Sequence, residues 1–189
     1  ANLNTVAEAG LARSRLRRDS EPCRVSYDQL MNLAMLRRSV RWYQQRPVPR
    51  ELLDQAVYVA SLSPSACNRQ PFRFLVFDEP ERVARVARIP TGASGFCAQV
   101  PVIIVVVGHL EAFAAPRDRH LIYIDASMAA MSFMLALETL GLSSCPINWP
   151  AITGPERQLR KELALKPHEQ AVMMISVGYA DPDGGIPSS

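Results

Sequence analysis

The sequence predicts a layered α/β or α+β sandwich built on a mixed sheet, and three observations carry that prediction. Strand-like and helix-like stretches alternate along most of the chain. The run Pro101 to Gly108, PVIIVVVG, is β-branched almost throughout, the pattern of a central strand covered on both faces. Residues 121–140, LIYIDASMAAMSFMLALETL, are apolar nearly all round, as in a helix held between a sheet and a further surface such as a second subunit. Elements of these two kinds bury their apolar faces by stacking in layers.

In chain order, residues 1–24 carry Arg13, Arg15, Arg17, Arg18 and Arg24 without a sustained apolar period. They read as a mobile or partner-wrapping basic arm, residues 1–25, ahead of a single domain over residues 26–181. Ser26 is a candidate N-cap for a helix with Leu30, Leu33, Ala34 and Leu36 facing inward, ending near Arg37. A second helix runs from Arg50 to Leu62 with Pro49 at an N1-like position, and Leu52, Leu53, Ala56, Val57 and Ala60 form its stripe. The loop SPSACNRQP, Ser63 to Pro71, precedes an aromatic and β-branched strand, Phe72 to Phe77, and a short helix over Glu79 to Ile89. After the loop-like Pro90 to Gln99 come the strand and long helix named above, the latter closed by Gly141 at C′. A strand at Ser143 to Asn148, a helix from Pro155 to Leu165 and a strand from Ala171 to Tyr179 complete the domain, with residues 182–189 as a tail.

Composition narrows the function. The net charge of +3 is too mild to demand a nucleic-acid or membrane partner. Cys23, Cys67, Cys97 and Cys145 form no C-x-x-C pair, and His109, His120 and His168 are out of helical reach of one another, so neither a metal site nor a redox dithiol is expected. Reduced thiols fit a cytoplasmic protein. The run Val102 to Gly108 is too short to span a bilayer and the 121–140 stretch carries Asp125 and Glu138, so no transmembrane segment is expected.

Two stretches concentrate polar chemistry. RRSVRWY, Arg37 to Tyr43, puts Arg37, Arg38, Ser39 and Arg41 past an apolar helix. Cations at a helix C-terminus complement the macrodipole, which accounts for one or two arginines; the rival is a phosphate clamp, which planar guanidinium groups and a hydroxyl suit. In the proline-framed loop, turn chemistry accounts for Pro64 and Ser65, whereas the amides of Asn68 and Gln70 suit a heterocycle with both donors and acceptors. Cys145 reads as a buried thiol, Asp125 as a buried acid in a structural hydrogen bond, and His109 and His120 as surface residues. The glycines of TGASG match neither a dinucleotide fingerprint nor a P-loop.

Taken in order, RRSVRWY followed by PVPRELLDQAV, SPSACNRQPFRFLVF, and DASMAAMSFMLALETLGLSSCPIN with VGYADPD after it resemble the nitroreductase-like family of FMN flavoproteins, over residues 27–183. The resemblance implies a three-layer α+β sandwich, with a central mixed, mainly antiparallel sheet flanked by helices, in an intertwined homodimer that holds FMN at its interface. By position, Arg37, Arg38 and Ser39 would hold the phosphate end, and Arg41 would approach the pyrimidine side, where a fixed cation stabilises the reduced ring's anion. Pro64, Ser65 and Ala66 would wrap the cofactor from the partner subunit, with Asn68 and Gln70 completing that loop. Pro146, Ile147, Asn148 and Trp149 would pass near the flavin N5, which carries the chemistry, so no catalytic side chain is required. Three features depart from the family pattern: Trp149 stands where glycine is common, GGIPSS lacks a basic pair, and the segment between Gly108 and Asp125 is short for a lid.

The activity so implied is hydride transfer from NADH or NADPH, through FMN, to a small organic acceptor such as a nitroaromatic, quinone or enone, by ping-pong turnover. The alternatives are specialised flavin chemistry on the same fold (dehalogenation, desaturation or flavin fragmentation) and a non-catalytic flavin- or anion-binding protein. Nucleic acid is not an expected partner.

Overall fold

A computed structural model describes residues 22–185; the basic arm up to residue 21 and residues 186–189 of the tail lie outside the described residues. Four strands, β1 (Phe72–Phe77), β2 (Val102–His109), β3 (Ser143–Asn148) and β4 (Glu169–Gly178), form one sheet in the order β1-β2-β4-β3. Every neighbouring pair is antiparallel. The sheet is thus mainly antiparallel, as expected, and among the described residues its parallel component is the isolated bridge between Ser39 and Ser144, on the outer edge of β3.

Helix lengths explain this topology. The helix after β1, α3 (Pro80–Val86), has 7 residues and is too short to carry the chain back along the sheet, so β2 starts at the end where β1 stops. The helix after β2, α4 (Leu121–Thr139), has 19 residues and does carry it back, so β3 runs in the same direction as β2. β4 then inserts between them and pairs antiparallel with both.

The sheet is covered on both faces. Leu75, Phe77, Ile103, Val105, Ile147 and Met174 pack against Val83 and Val86 of α3 and Leu159 and Leu163 of α5 (Thr153–Leu163). On the other face Phe74, Val76, Ile104, Val106, Ile175 and Val177 meet Leu53, Ala56 and Ala60 of α2 (Arg50–Ser61) and Ala126, Ala129, Ala130, Phe133 and Leu137 of α4. Residues 102–107 of β2 are at most 1% exposed, as a strand buried on both faces requires. The small side chains of α4 bring helix and sheet close: a Cβ on Gly108 would lie 2.8 Å from Ile122 Cβ.

Local chemistry sets the helix ends. The first helix, α1 (Tyr27–Leu36), opens on a capping box in which Ser26 and Gln29 satisfy each other's backbone N–H groups. Pro49 takes the N-cap of α2 instead of N1, and α5 starts at Thr153, ahead of Pro155, because a proline in the first turn forfeits no intrahelical hydrogen bond. Gly141 after α4 has φ +75, as a left-handed C′ residue.

One expectation fails within the single chain. No residue of α1 is buried; Leu30, Met31, Met35 and Leu36 are all exposed, as are Tyr58, Val59 and Leu62 at the end of α2 and Tyr123, Ile124, Met128 and Met131 on α4. The apolar face of α1 is left uncovered by the described residues. By length and composition α4 is apolar enough to cross a membrane, but half of it is already buried in the fold.

Candidate functional site

The arginine stretch leaves the helix almost at once. Arg37 is the C-cap of α1, with φ −61 and ψ 119, and its N–H donates to Leu33 O at 3.1 Å. From there the chain runs extended along the β3 edge: Ser39 bridges Ser144, and Val40 N–H donates to Ser144 O at 3.0 Å. The Tyr43 hydroxyl, buried, donates to Val40 O at 2.6 Å and lies 2.8 Å from Ser176 Oγ. Burial pushes this phenol far above its ordinary pKa, so it stays a neutral donor. Only Arg37 therefore sits where the macrodipole can use it; Arg38, Ser39 and Arg41 lie along the sheet edge.

Arg38 donates to Arg37 O at 3.0 Å and Arg41 to Ser39 O at 3.4 Å, and Gln99 Nε2 pins the Arg41 carbonyl at 3.2 Å. All are partly buried, yet among the described residues none of the three guanidinium groups makes an ion pair. Two acidic groups lie nearby without pairing with them. Burial raises the Glu138 carboxyl, with Arg37 opposing, and its Oε1 has no hydrogen-bond partner. Burial also raises the Cys145 thiol, with Arg41, Ser39 and Arg37 opposing, which agrees with an inert buried thiol. Among the described residues, three positive groups crowd one sheet edge without an ion-pair partner.

The same edge continues through β3. Pro146 and Asn148 are exposed, as an edge strand permits for proline, whereas Ile147 is 4% exposed and its side chain belongs to the core. Ile147 can offer a ligand only its backbone. Trp149 Nε1 donates to Glu156 Oε2 at 2.8 Å and the indole packs against the α3/α5 layer, so its bulk is tied to α5.

The proline-framed loop is a strained structure. Cys67, Asn68 and Gln70 have φ of 54, 54 and 46, a concentration of left-handed non-glycine backbone that the surroundings must enforce. Gln70 N–H donates to Ser65 Oγ at 2.9 Å, Gln70 Nε2 donates to Ser61 O, and Ala66 N–H donates to Asp125 Oδ2 at 3.0 Å. Asp125, 2% exposed, is thus the buried structural acid the sequence suggested, and the Gln70 amide nitrogen serves the loop itself. Ser65 and Ala66 are partly buried, and Pro64 and Asn68 are exposed.

The loop and the arginines sit far apart. The loop leads into Phe72, whose row across the sheet is Gly108 and Gln170; Ser39 sits beside Ser144, whose row is Val177 and Val102. Along α4 the loop is tied to Asp125 in the first turns, and Arg37 acts on Glu138 in the last. At 1.5 Å per residue those two acids are about 20 Å apart. In one chain, then, the Arg37–Arg41 segment meets β3 at Ser144, Pro146–Trp149 follow further along that strand, and Pro64–Gln70 does not join the arginines.

Two further features escaped sequence reasoning. A cleft of about 520 Å³ between Ala151–Thr153, Glu156, Arg157, Arg160 and Gln170 is lined by none of the site residues expected from the sequence. His109 is half-buried instead of on the surface, while His120 is exposed. His109, Glu111 and His168 converge, although sequence spacing separated them, because the β2–β4 pairing sets His109 opposite Glu169.

Comparison with known proteins bears on the fold and the family. The model of the nitroreductase family matches residues 34–90 and 80–179. A protein of Methanothermobacter thermautotrophicus named as an NADH dehydrogenase/NAD(P)H nitroreductase is 28% identical over 157 residues, covering 82% of this chain and 80% of that one. Iodotyrosine deiodinase 1 of Rattus norvegicus is 23% identical over 205 residues, covering 92% of this chain and 70% of its own length. Among solved structures, an FMN-dependent nitroreductase from Clostridium difficile superposes with a TM-score of 0.73 at 27% identity, covering 84% of this chain and 92% of the other.

Proposed function

The chain belongs to the nitroreductase family, and from that premise we propose an FMN-dependent oxidoreductase that passes electrons from NADH or NADPH to a small organic acceptor. The observation that carries the reading is the set of three partly buried arginines without ion pairs along an open strand edge. Such a set fits a phosphate: guanidinium forks match its oxygens, and Ser39 adds a neutral donor. Arg37, Arg38 and Ser39 would hold that end of FMN. Arg41, two residues beyond Ser39, would face the ring, where a fixed positive charge favours added electron density. FMN supplies the hydride chemistry when bound. The chain's own task is to bind it, orient it and shield it from water.

We assign the second wall of the site, Pro64, Ser65, Ala66 and Asn68, to a second copy of the chain. Two features support this: the separation of about 20 Å along α4, and the apolar face of α1, α2 and α4, which a copy of the same chain would cover isologously. The test is direct. Purified protein should carry flavin absorbance, or gain it from added FMN, and that absorbance should bleach when NADH or NADPH is supplied without oxygen. A colourless protein that ignores added FMN rules the proposal out.

The similarity to an iodotyrosine deiodinase favours a second reading, reductive dehalogenation of an aromatic substrate at the same site. Halide release from a halophenol under reducing conditions, set against reduction of a nitroaromatic or quinone, separates the two.

A further inference from the structure

From the convergence of His109, Glu111 and His168 we infer a binding site for a borderline divalent cation, Zn²⁺ in the first place, at the C-terminal end of β2 and distinct from the arginine edge. One ligand-type atom from each of the three side chains lies within 4.8 Å of the others. His168 Nε2 is 3.1 Å from Glu111 Oε1, yet this buried nitrogen has no aligned hydrogen-bond partner. Closeness without alignment is what two donors show when both face a third point. Ligands held at about 2.0–2.1 Å around tetrahedral zinc stand about 3.3 Å from one another, close to that spacing.

The backbone holds the set in place. Leu110 N–H donates to His168 O at 2.9 Å, His109 N–H donates to Pro71 O at 2.8 Å, and His109 pairs with Glu169 across the sheet. The two segments that carry the ligands are therefore already joined before any ion arrives. The charge balance also suits a dication. Arg73 lies nearby but is paired with the buried Glu169 at 2.9 Å, and Glu169 also accepts the Lys166 N–H at 2.8 Å. Arg160 is held by Glu156, the Glu169 carbonyl and Gln170. Among the described residues Glu111 thus has no arginine or lysine partner, and it stands beside two imidazoles. Two imidazoles and one carboxylate leave the remaining coordination positions to water. A bound ion would fasten the turn Leu110–Ala112 to the start of β4. The same turn receives Arg69 from the strained loop, through Ala112 O.

The experiment uses the full chain after chelating resin, titrated with Co²⁺ and then Zn²⁺. One equivalent of Co²⁺ per chain should produce visible ligand-field absorbance, which Zn²⁺ abolishes by displacement, and Zn²⁺ should raise the unfolding temperature in proportion to the logarithm of its concentration. His109→Gln, His168→Gln and Glu111→Gln should each weaken Zn²⁺ at least about 10-fold, since loss of even an outer partner of a metal ligand costs 10- to 100-fold. Glu111 is 59% exposed in its side chain, so Glu111→Gln remains a folded test if a histidine variant does not fold. FMN binding is read in parallel: if it persists in these variants while Zn²⁺ is lost, the metal site stands apart from the flavin site. No Co²⁺ absorbance in the native chain, or Zn²⁺ affinity unchanged by all three substitutions, overturns the inference.

Discussion

Arg37 and Arg41 stand four residues apart on the same edge, but their surroundings predict different losses. Arg37→Ala removes a guanidinium that is free to grip phosphate, and should weaken FMN by about 1.5–3 kcal/mol, the usual worth of a hydrogen bond to a charged group. Arg41→Ala should leave FMN bound and lower its reduction potential, measured by dye equilibration; equal losses of helix stability in both variants would restore the macrodipole explanation. Glu138 supplies a test by pH. Burial raises its folded-state pKa above the ordinary carboxylate value, so the folded chain binds this proton more tightly than the unfolded one. Its favourable contribution is present at low pH and is lost as pH rises from the ordinary carboxylate pKa through the raised one. Glu138→Gln should therefore flatten the fall in stability as pH rises above the ordinary carboxylate pKa, measured by thermal unfolding across buffers. Asp125 acts through the loop it braces: Asp125→Ala leaves the partly buried Ala66 N–H unpartnered, should cost about 1–3 kcal/mol, and should lower FMN affinity. Asn68→Gly, which relieves a left-handed φ, is the contrasting variant that leaves the brace intact.

Among the elements, the four strands and five helices were legible because their signals are local: β-branched runs, a capping box, a C′ glycine. The strand β2 announced its double burial in seven letters. What was not legible is what depends on how elements meet. Nothing in RRSVRWY says that Val40 will borrow the Ser144 carbonyl and turn a helix end into a sheet edge. Nothing in a lone His168 says that the β2–β4 register will bring it beside Glu111. The left-handed backbone of Cys67, Asn68 and Gln70 was hidden for the same reason, since it is imposed by partners such as Asp125, distant in sequence. The α1 helix illustrates the limit most plainly. Its periodicity predicts the helix, but the apolar face it defines is not covered by the described residues. A helix of 10 residues is marginal on its own in water. Its amide protons should therefore exchange slowly only at protein concentrations where a second chain is bound, measured by hydrogen exchange across a dilution series, while β2 stays protected throughout.

At the scale of the whole molecule, the separation between the two candidate walls leads to a test that needs no structure of the assembly. If each flavin site takes Arg37, Arg38 and Ser39 from one chain and the Ser63–Pro71 loop from its partner, a defect in either wall spoils every site of its own homodimer. Arg37→Ala is one such defect. Ser65→Trp is the other, because it removes the hydroxyl that accepts the Gln70 N–H and adds bulk to the loop. In a mixed dimer the two defects fall together in one site and leave the second site free of both. Unfolding and refolding an equal mixture should thus restore FMN binding to about a quarter of all sites, since random pairing makes half of the dimers mixed and each regains one of two sites. Flavin fluorescence quenching measures the fraction. The same experiment with two arginine-edge variants, Arg37→Ala and Arg38→Ala, should restore nothing, because both defects lie on the same wall and every site receives one of them. If the Arg37→Ala and Ser65→Trp mixture also restores nothing, although each variant folds and dimerises, then both walls come from one chain and the separation measured along α4 must close on binding.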